Sequence, residues 1–467
     1  MFFRIANFFF HYMKFLDKKY TKETMILALP VMLTQVGQVS VNLFDNIIVG
    51  KLLGANALAS VSLGNALFIS AFIFAMGFSL AIPPLVSEAH SQKNHEEINS
   101  VFQHGFVINM SVGLVMMLLL LLIIPFIDHL GQPPEIIPDT IAYLSIMAFS
   151  MLPFMAFQTF REGSEGLGYT IGVTKATIAG NILNVVLNYI LIKGLFGFPA
   201  MGIQGSAIAT LIARLFMFVL LYFILRKQAV TRPYIEAFKL KFSEFKKSQF
   251  VKQIRLGFPT AMQLFFEVTA FGAAAFVCGL VSATDVAAHQ IALSMASFTF
   301  NLCVGFSVSA TIMIGRKKGE RNFVELRRVG INNLKLAFLF MSLCGLVFIV
   351  FRHILPTFFT KTEDFDVVIL ASKLLIIAAL FQLSDGIQVT ALGILRGMQD
   401  VKIPSILTFI AYWLITLPLG YFLTVILKMG SFGMWIALGL GLSISAVLLV
   451  RRFLLLTKNL IVNTQKQ

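Results

Sequence analysis

Charge is what this sequence has least of. Charged residues make up 13% of its 467 positions, where a soluble domain carries about 25%. So few ionic side chains cannot hydrate the whole surface of a folded chain of this length. Hydrophobic residues reach 58% and the mean hydropathy is +0.85, which places the chain in a bilayer. Cysteine is scarce as well. Cys278, Cys303 and Cys344 are the only three, all within apolar stretches and without metal-ligand spacing, and they read as small core residues. Enzyme motifs are also missing. No glycine-rich loop ends in Gly-Lys-Ser/Thr, so there is no sign of nucleotide hydrolysis, and "HEEIN" at 95–99 lacks the second histidine of a zinc helix.

Long apolar runs are abundant. Twelve can be read, at 24–50, 57–82, 101–126, 138–158, 170–193, 202–225, 256–280, 286–312, 331–355, 367–393, 402–427 and 431–457. A helix needs about 20 such residues to cross a membrane. These runs are too long and too continuously apolar for the roughly ten-residue alternation of a membrane barrel. The fold class is therefore an all-α integral membrane protein of twelve transmembrane helices. The opening "MFFRIANFFFHYMKFL" is broken by Arg4, His11 and Lys14, and reads as an amphipathic segment over 1–23 on the membrane surface rather than a signal peptide.

The formal net charge of +15 is explained by where the cations lie. With the N-terminus inside, 29 of the 37 Lys and Arg fall on the inner side and 6 on the outer. That is the positive-inside pattern, so both termini are expected in the cytoplasm of a multi-pass cell (inner) membrane protein, and no basic surface remains for nucleic acid.

The longest and most basic break between runs, 226–255, reads as a cytoplasmic linker. It separates a six-helix lobe at 24–225 from another at 256–457, with 458–467 as a cytoplasmic tail. The halves match in register: "LALP" at 27–30 with "LGFP" at 256–259, "ANALA" at 55–59 with "TDVAA" at 284–288, "GFS" at 77–79 with "GFS" at 305–307, and "MGIQGSAIA" at 201–209 with "MGSFGMWIA" at 429–437. One short match would be chance; four at a nearly constant offset imply tandem duplication. Six spans per half give parallel repeats, the arrangement of transporters that bind substrate near the midplane.

Three carboxylates lie well inside runs: Asp45, Glu267 and Asp385. An acidic side chain at the centre of a membrane helix costs about 2.5–3.5 kcal/mol on insertion scales, so such residues face a cavity, a partner or an ion. Each has polar company at helical spacing. Gln38 and Asn42 share a face with Asp45, Gln263 precedes Glu267 by one turn, and Gln382 and Gln388 flank Asp385. Gly386 would ease close approach of another helix. The fifth run adds Asn181, Asn184 and Asn188 along one stripe. Interhelical glue is the plain reading for a single buried amide. For a carboxylate the plain reading is a pair with Lys or Arg, with Lys335 and Arg214 as the candidates inside spans, both read near the inner ends. A carboxylate without a fixed cation suits a proton relay or a sodium site. His289, in "AAHQIAL", reads as a satisfied polar residue.

These stretches together resemble one family. "LFDNIIVG", "LGFPTAMQLFFEVTAF", "AAHQIAL", "LSDGIQVTALGILRGMQD" and "YWLITLPLGY" are similar to the multidrug and toxic compound extrusion (MATE) transporters, NorM branch, across essentially the whole chain. The resemblance implies a secondary antiporter, not an enzyme, that exports small-molecule cationic drugs in exchange for sodium ions or protons, with a lean towards sodium and no other cofactor. It implies coupling-ion roles for Glu267, Asp385 and Asp45, with Glu267 and Asp385 as sodium ligands. It also implies a polar, substrate-facing lining from Asp45, Asn184 and Asn188. A monomer in contact with membrane lipid is expected. Phe381 stands where some relatives have a tyrosine, removing a hydroxyl near the cation site.

A flippase for lipid-linked precursors would need a groove rich in Arg and Lys, and these runs are nearly bare of them. An intramembrane enzyme would need a nucleophile or metal beside the carboxylates, and none is apparent. The 48 Phe suit a plastic chamber for flat cations, although lipid-facing packing accounts for most of them.

The charge asymmetry makes a topological prediction. Single cysteines introduced at Leu240 and Thr362 should label from opposite sides of the membrane with an impermeant maleimide. Labelling of both from outside intact cells would contradict it.

Overall fold

The computed structural model describes residues 16–240, 245–359 and 365–465, without the side chains of Asn42, Ala55 and Leu130. Residues 1–15, which hold most of the expected amphipathic segment, lie outside the described residues. Among the described residues, twelve helices are long and apolar enough to cross a membrane. They run Lys18–Leu53, Asn56–Ser91, His95–His129, Pro134–Gly166, Ile171–Lys193, Gly202–Lys227, Lys247–Gly279, Ala283–Gly319, Phe323–Phe351, Phe365–Gly397, Lys402–Ile426 and Ser431–Gln465, and are called the first to twelfth spans below.

Every expected span is present, but most extend beyond their apolar runs. Hydropathy marks where a helix is apolar, not where its backbone hydrogen bonds end. The seventh span begins at Lys247, inside the stretch expected as linker, because its polar first turns find partners. Lys252 Nζ lies 2.7 Å from Glu97 Oε1, and Gln249 Nε2 donates to Glu97 Oε2 at 2.6 Å. The third and ninth spans start on Asn caps, with Asn94 and Asn322 side chains accepting from the backbone N–H groups of Glu97 and Glu325. Long apolar side chains stay exposed along the spans, among them Leu118, Leu119 and Leu122 of the third. Such a surface suits lipid rather than water.

The helices gather into two compact units whose boundary does not follow chain order. Residues 33–265 form one, the N unit; residues 1–32 with 266–467 form the other, the C unit. The boundary therefore cuts through the first and seventh spans. Within the C unit the tenth span is central, packing on the eighth, ninth and twelfth. A Cβ on Gly386 would stand 2.5 Å from Met341 Cγ, so glycine beside Asp385 does let the ninth span come close, as expected. Cys278 and Cys303 are buried free thiols and Cys344 is half-buried.

Within the N unit the fifth and sixth spans lie along each other, and the sixth also contacts both segments of the fourth, which breaks at Ser150. Gly205 sets the first of these contacts. A Cβ there would meet the carbonyl carbon and oxygen of Leu191 at 2.9 Å, and backbone cannot step aside. Gly205→Val should therefore lower thermal stability in detergent by about 1–3 kcal/mol, the usual cost of overpacking. An unchanged melting temperature would show that the contact yields.

Candidate functional site

The C unit carries an acidic cluster. Glu267 and Asp385 are buried, 8% and 4% exposed, and each feels the other's charge. Tyr412 of the eleventh span completes the group. Its hydroxyl lies 3.2 Å from Gln388 Oε1 and also bonds the Glu267 carboxylate. A phenol has one proton to give, and here two acceptors face it. The result is an oxygen-rich site in which the charge recorded as acting on Asp385 is that of Glu267.

The eleventh span brings Tyr412 there through a widened turn. Residues 410–416 are π-helical, and Thr416 Oγ1 donates to Ala411 O at 2.8 Å. Pro418 follows, and lacking an N–H it cannot close a bond to the carbonyl four residues back. Single π turns inside helices frequently mark functional positions. The Tyr412 ring packs on Phe271, which packs on Phe381, which meets Trp435. Phe381 thus fills an aromatic stack, and the nearby hydroxyl comes from Tyr412 instead.

Other polar atoms of the C unit are buried without hydrogen-bond partners among the described residues: both side-chain atoms of Gln382, Gln388 Nε2 and both ring nitrogens of His289. His289, expected to be satisfied, is therefore not; its ring lies 5.9 Å from that of Trp435. Gln263 is buried but falls in the N unit, on the other side of the boundary from Glu267.

The N unit carries a different arrangement. Asn188 Nδ2 donates to Asp45 Oδ1 at 2.7 Å and to Asn184 Oδ1 at 3.3 Å, and Asn184 Nδ2 donates to Thr210 Oγ1 at 3.2 Å. Asn184 and Asn188 thus join Asp45 through one amide relay, as their spacing suggests. Asn181 is elsewhere on the stripe: its Nδ2 sits where a Cβ on Gly37 would fall, 2.8 Å away, and has no partner among the described residues. Gln38 is half-buried, and Asn42 has its side chain outside the described residues.

Arg214 is the residue that sequence reasoning misplaced. It lies near the middle of the sixth span, Gly202–Lys227, not at its inner end. Its guanidinium and the Asp45 carboxylate act on each other electrostatically. The run read at 202–225 already set Arg214 well away from both ends, and the span Gly202–Lys227 agrees with it. Tyr143, held by Asn65 at 3.0 Å, borders the same two charges.

Comparison with known proteins fits these features. The MatE family model matches residues 30–190 and again 259–422. The matches begin at residues 30 and 259, the offset that relates "LALP" to "LGFP", so the duplication is real. Multidrug resistance protein NorM of Photobacterium profundum is 31% identical over 93% of this chain and 95% of its own length. A probable multidrug resistance protein NorM of Agrobacterium fabrum is 33% identical over 94% of each. Among solved structures, a MOP superfamily transporter from Pyrococcus furiosus, described as having a binding pocket of reverse polarity that suggests a different function, superposes with a TM-score of 0.85 at 20% identity, covering 94% of this chain and 96% of that one. That likeness concerns the fold. The chain belongs to the multidrug and toxic compound extrusion family of membrane transporters, and to its NorM branch.

Tyr412→Phe removes one hydroxyl and keeps the ring on Phe271. The loss should be about 1 kcal/mol per hydrogen bond, a small change in melting temperature. Stabilisation by sodium or by acidification should fall clearly more. An unaltered ion response would reduce Tyr412 to packing.

Proposed function

We propose that the chain is a secondary active efflux antiporter of the cell (inner) membrane, a monomer with both termini in the cytoplasm, that exports small organic cations by alternating access in exchange for sodium ions or protons. The observation that carries this reading is the group of Glu267, Asp385 and Tyr412: two like charges, buried together, beside a hydroxyl with more acceptors than protons. Empty, such a site favours uptake of a small cation, because binding relieves the repulsion between the carboxylates.

Coupling follows if the cation binds one conformation better than the other. A ligand shifts an equilibrium only by its differential affinity for the two states. Antiport results when ion binding in the C unit and substrate binding at Asp45 in the N unit favour opposite states. The amide relay of Asn188 and Asn184 holds Asp45 in place to meet a cationic group.

The names of the relatives support drugs as cargo, and the inside excess of Lys and Arg supports the orientation. The Pyrococcus furiosus transporter is described as having a binding pocket of reverse polarity on a like fold, so the reading rests on this chain's own carboxylates. A pyrophosphate-bearing lipid would need several cations, and the N-unit site has one guanidinium beside a carboxylate.

The test uses purified protein in proteoliposomes, with drug efflux driven by a sodium gradient alone and then by a pH gradient alone. One of the two should drive efflux. Glu267→Gln and Asp385→Asn should each abolish ion-driven efflux while leaving expression and melting temperature nearly intact. Full efflux with unchanged ion dependence in the Glu267→Gln protein would falsify the proposal.

A further inference from the structure

The N-unit site already holds a cation. The Arg214 guanidinium lies over three phenylalanine rings, 4.8 Å from the centroid of Phe68, 5.4 Å from Phe72 and 5.2 Å from Phe154. The rings form one surface, with Phe72 4.5 Å from Phe154 and 5.5 Å from Phe68. Aromatic faces attract cations through the ring quadrupole, and desolvated faces do so more strongly. The hydrogen bond recorded for the guanidinium is from Nη1 to Ser150 Oγ, at 2.7 Å, while the Ser150 hydroxyl donates to Met147 O. Asp45 takes a hydrogen bond from Asn188, and the guanidinium acts on it electrostatically.

This is an unusual place for a structural arginine. A guanidinium fixed for stability in a membrane is met by a forked carboxylate pair or by several carbonyls. Arg161 is met by a direct carboxylate partner, donating through Nε to the buried Glu165 carboxylate at 2.9 Å and through Nη1 to Gln158 Oε1. Arg214 rests instead on aromatic faces with a single hydroxyl anchor, on a long flexible stem.

We propose that Arg214 is a tethered competitor for the substrate. In the empty N unit it occupies the ring faces and balances Asp45. An incoming aromatic or quaternary cation takes both from it, and on release the guanidinium returns, which prevents a tightly bound cation from stalling the cycle. The inference rests on the proposed assignment of Asp45 to substrate binding. It adds that affinity for cations is set by this competition and not by Asp45 alone.

The competition is read by equilibrium binding of tetraphenylphosphonium, a permanent aromatic cation, to the purified full-length protein. Arg214→Gln should bind it about tenfold more tightly than wild type, a change equivalent to about 1.4 kcal/mol. Arg214→Lys, which keeps a tethered charge, should stay near the wild-type affinity. Ser150→Ala, which removes the anchor and leaves the arginine in place, should shift affinity in the same direction as Arg214→Gln and serves if that variant does not fold. Tighter binding should come with slower efflux at saturating substrate, a split that a purely structural arginine would not give. The inference is overturned if folded Arg214→Gln or Ser150→Ala binds no tighter than wild type, or if Arg214→Lys behaves as Arg214→Gln does. Asp45→Asn separates the two levels. If it binds the cation as well as wild type does, the N-unit assignment itself falls and the competition with it; if it loses binding while Arg214→Gln gains nothing, only the competition falls.

Discussion

Two buried carboxylates that act on each other electrostatically, Glu267 and Asp385, are the constraint around which the C unit is arranged. Their mutual repulsion is costly in a low-dielectric setting unless a cation or proton relieves it. The fold keeps the cost in place. Gly386 lets the ninth span close against the tenth, and the π turn at 410–416 delivers the Tyr412 hydroxyl beside Glu267. Behind Tyr412, the stack of Phe271, Phe381 and Trp435 packs against the ring.

The N unit treats its carboxylate differently although the two halves arose by duplication. Asp45 is steadied by an amide relay and balanced by a guanidinium on phenylalanine faces. A site with an internal counter-charge does not need a small cation to be tolerable when empty. Under the antiport proposed above, that difference would divide the labour: one unit would recruit an ion, and the other would exchange one organic cation for a tethered one.

The sequence made the spans legible because twenty-residue apolar helices leave a signal that needs no partner. The three carboxylates were legible for the complementary reason, since a charge inside an apolar run contradicts its surroundings. Asn184 and Asn188 were visible through four-residue spacing, which places both on one helical face. Tyr412 was not, because its role depends on a widened turn that carries its hydroxyl to Glu267, and nothing local distinguishes it from other membrane tyrosines. Arg214 stood in plain sight, but its partners Phe68, Phe72, Phe154 and Ser150 come from the second and fourth spans, and no spacing rule links them.

The most direct measurement is cation uptake by purified protein, counted as protons and sodium ions taken up per chain, for wild type and for the double variant Glu267→Gln with Asp385→Asn. The account predicts that wild type takes up a single cation that the double variant does not, and that Asp45→Asn resembles wild type. Equal uptake by wild type and the double variant, or loss of the cation in Asp45→Asn alone, would contradict it.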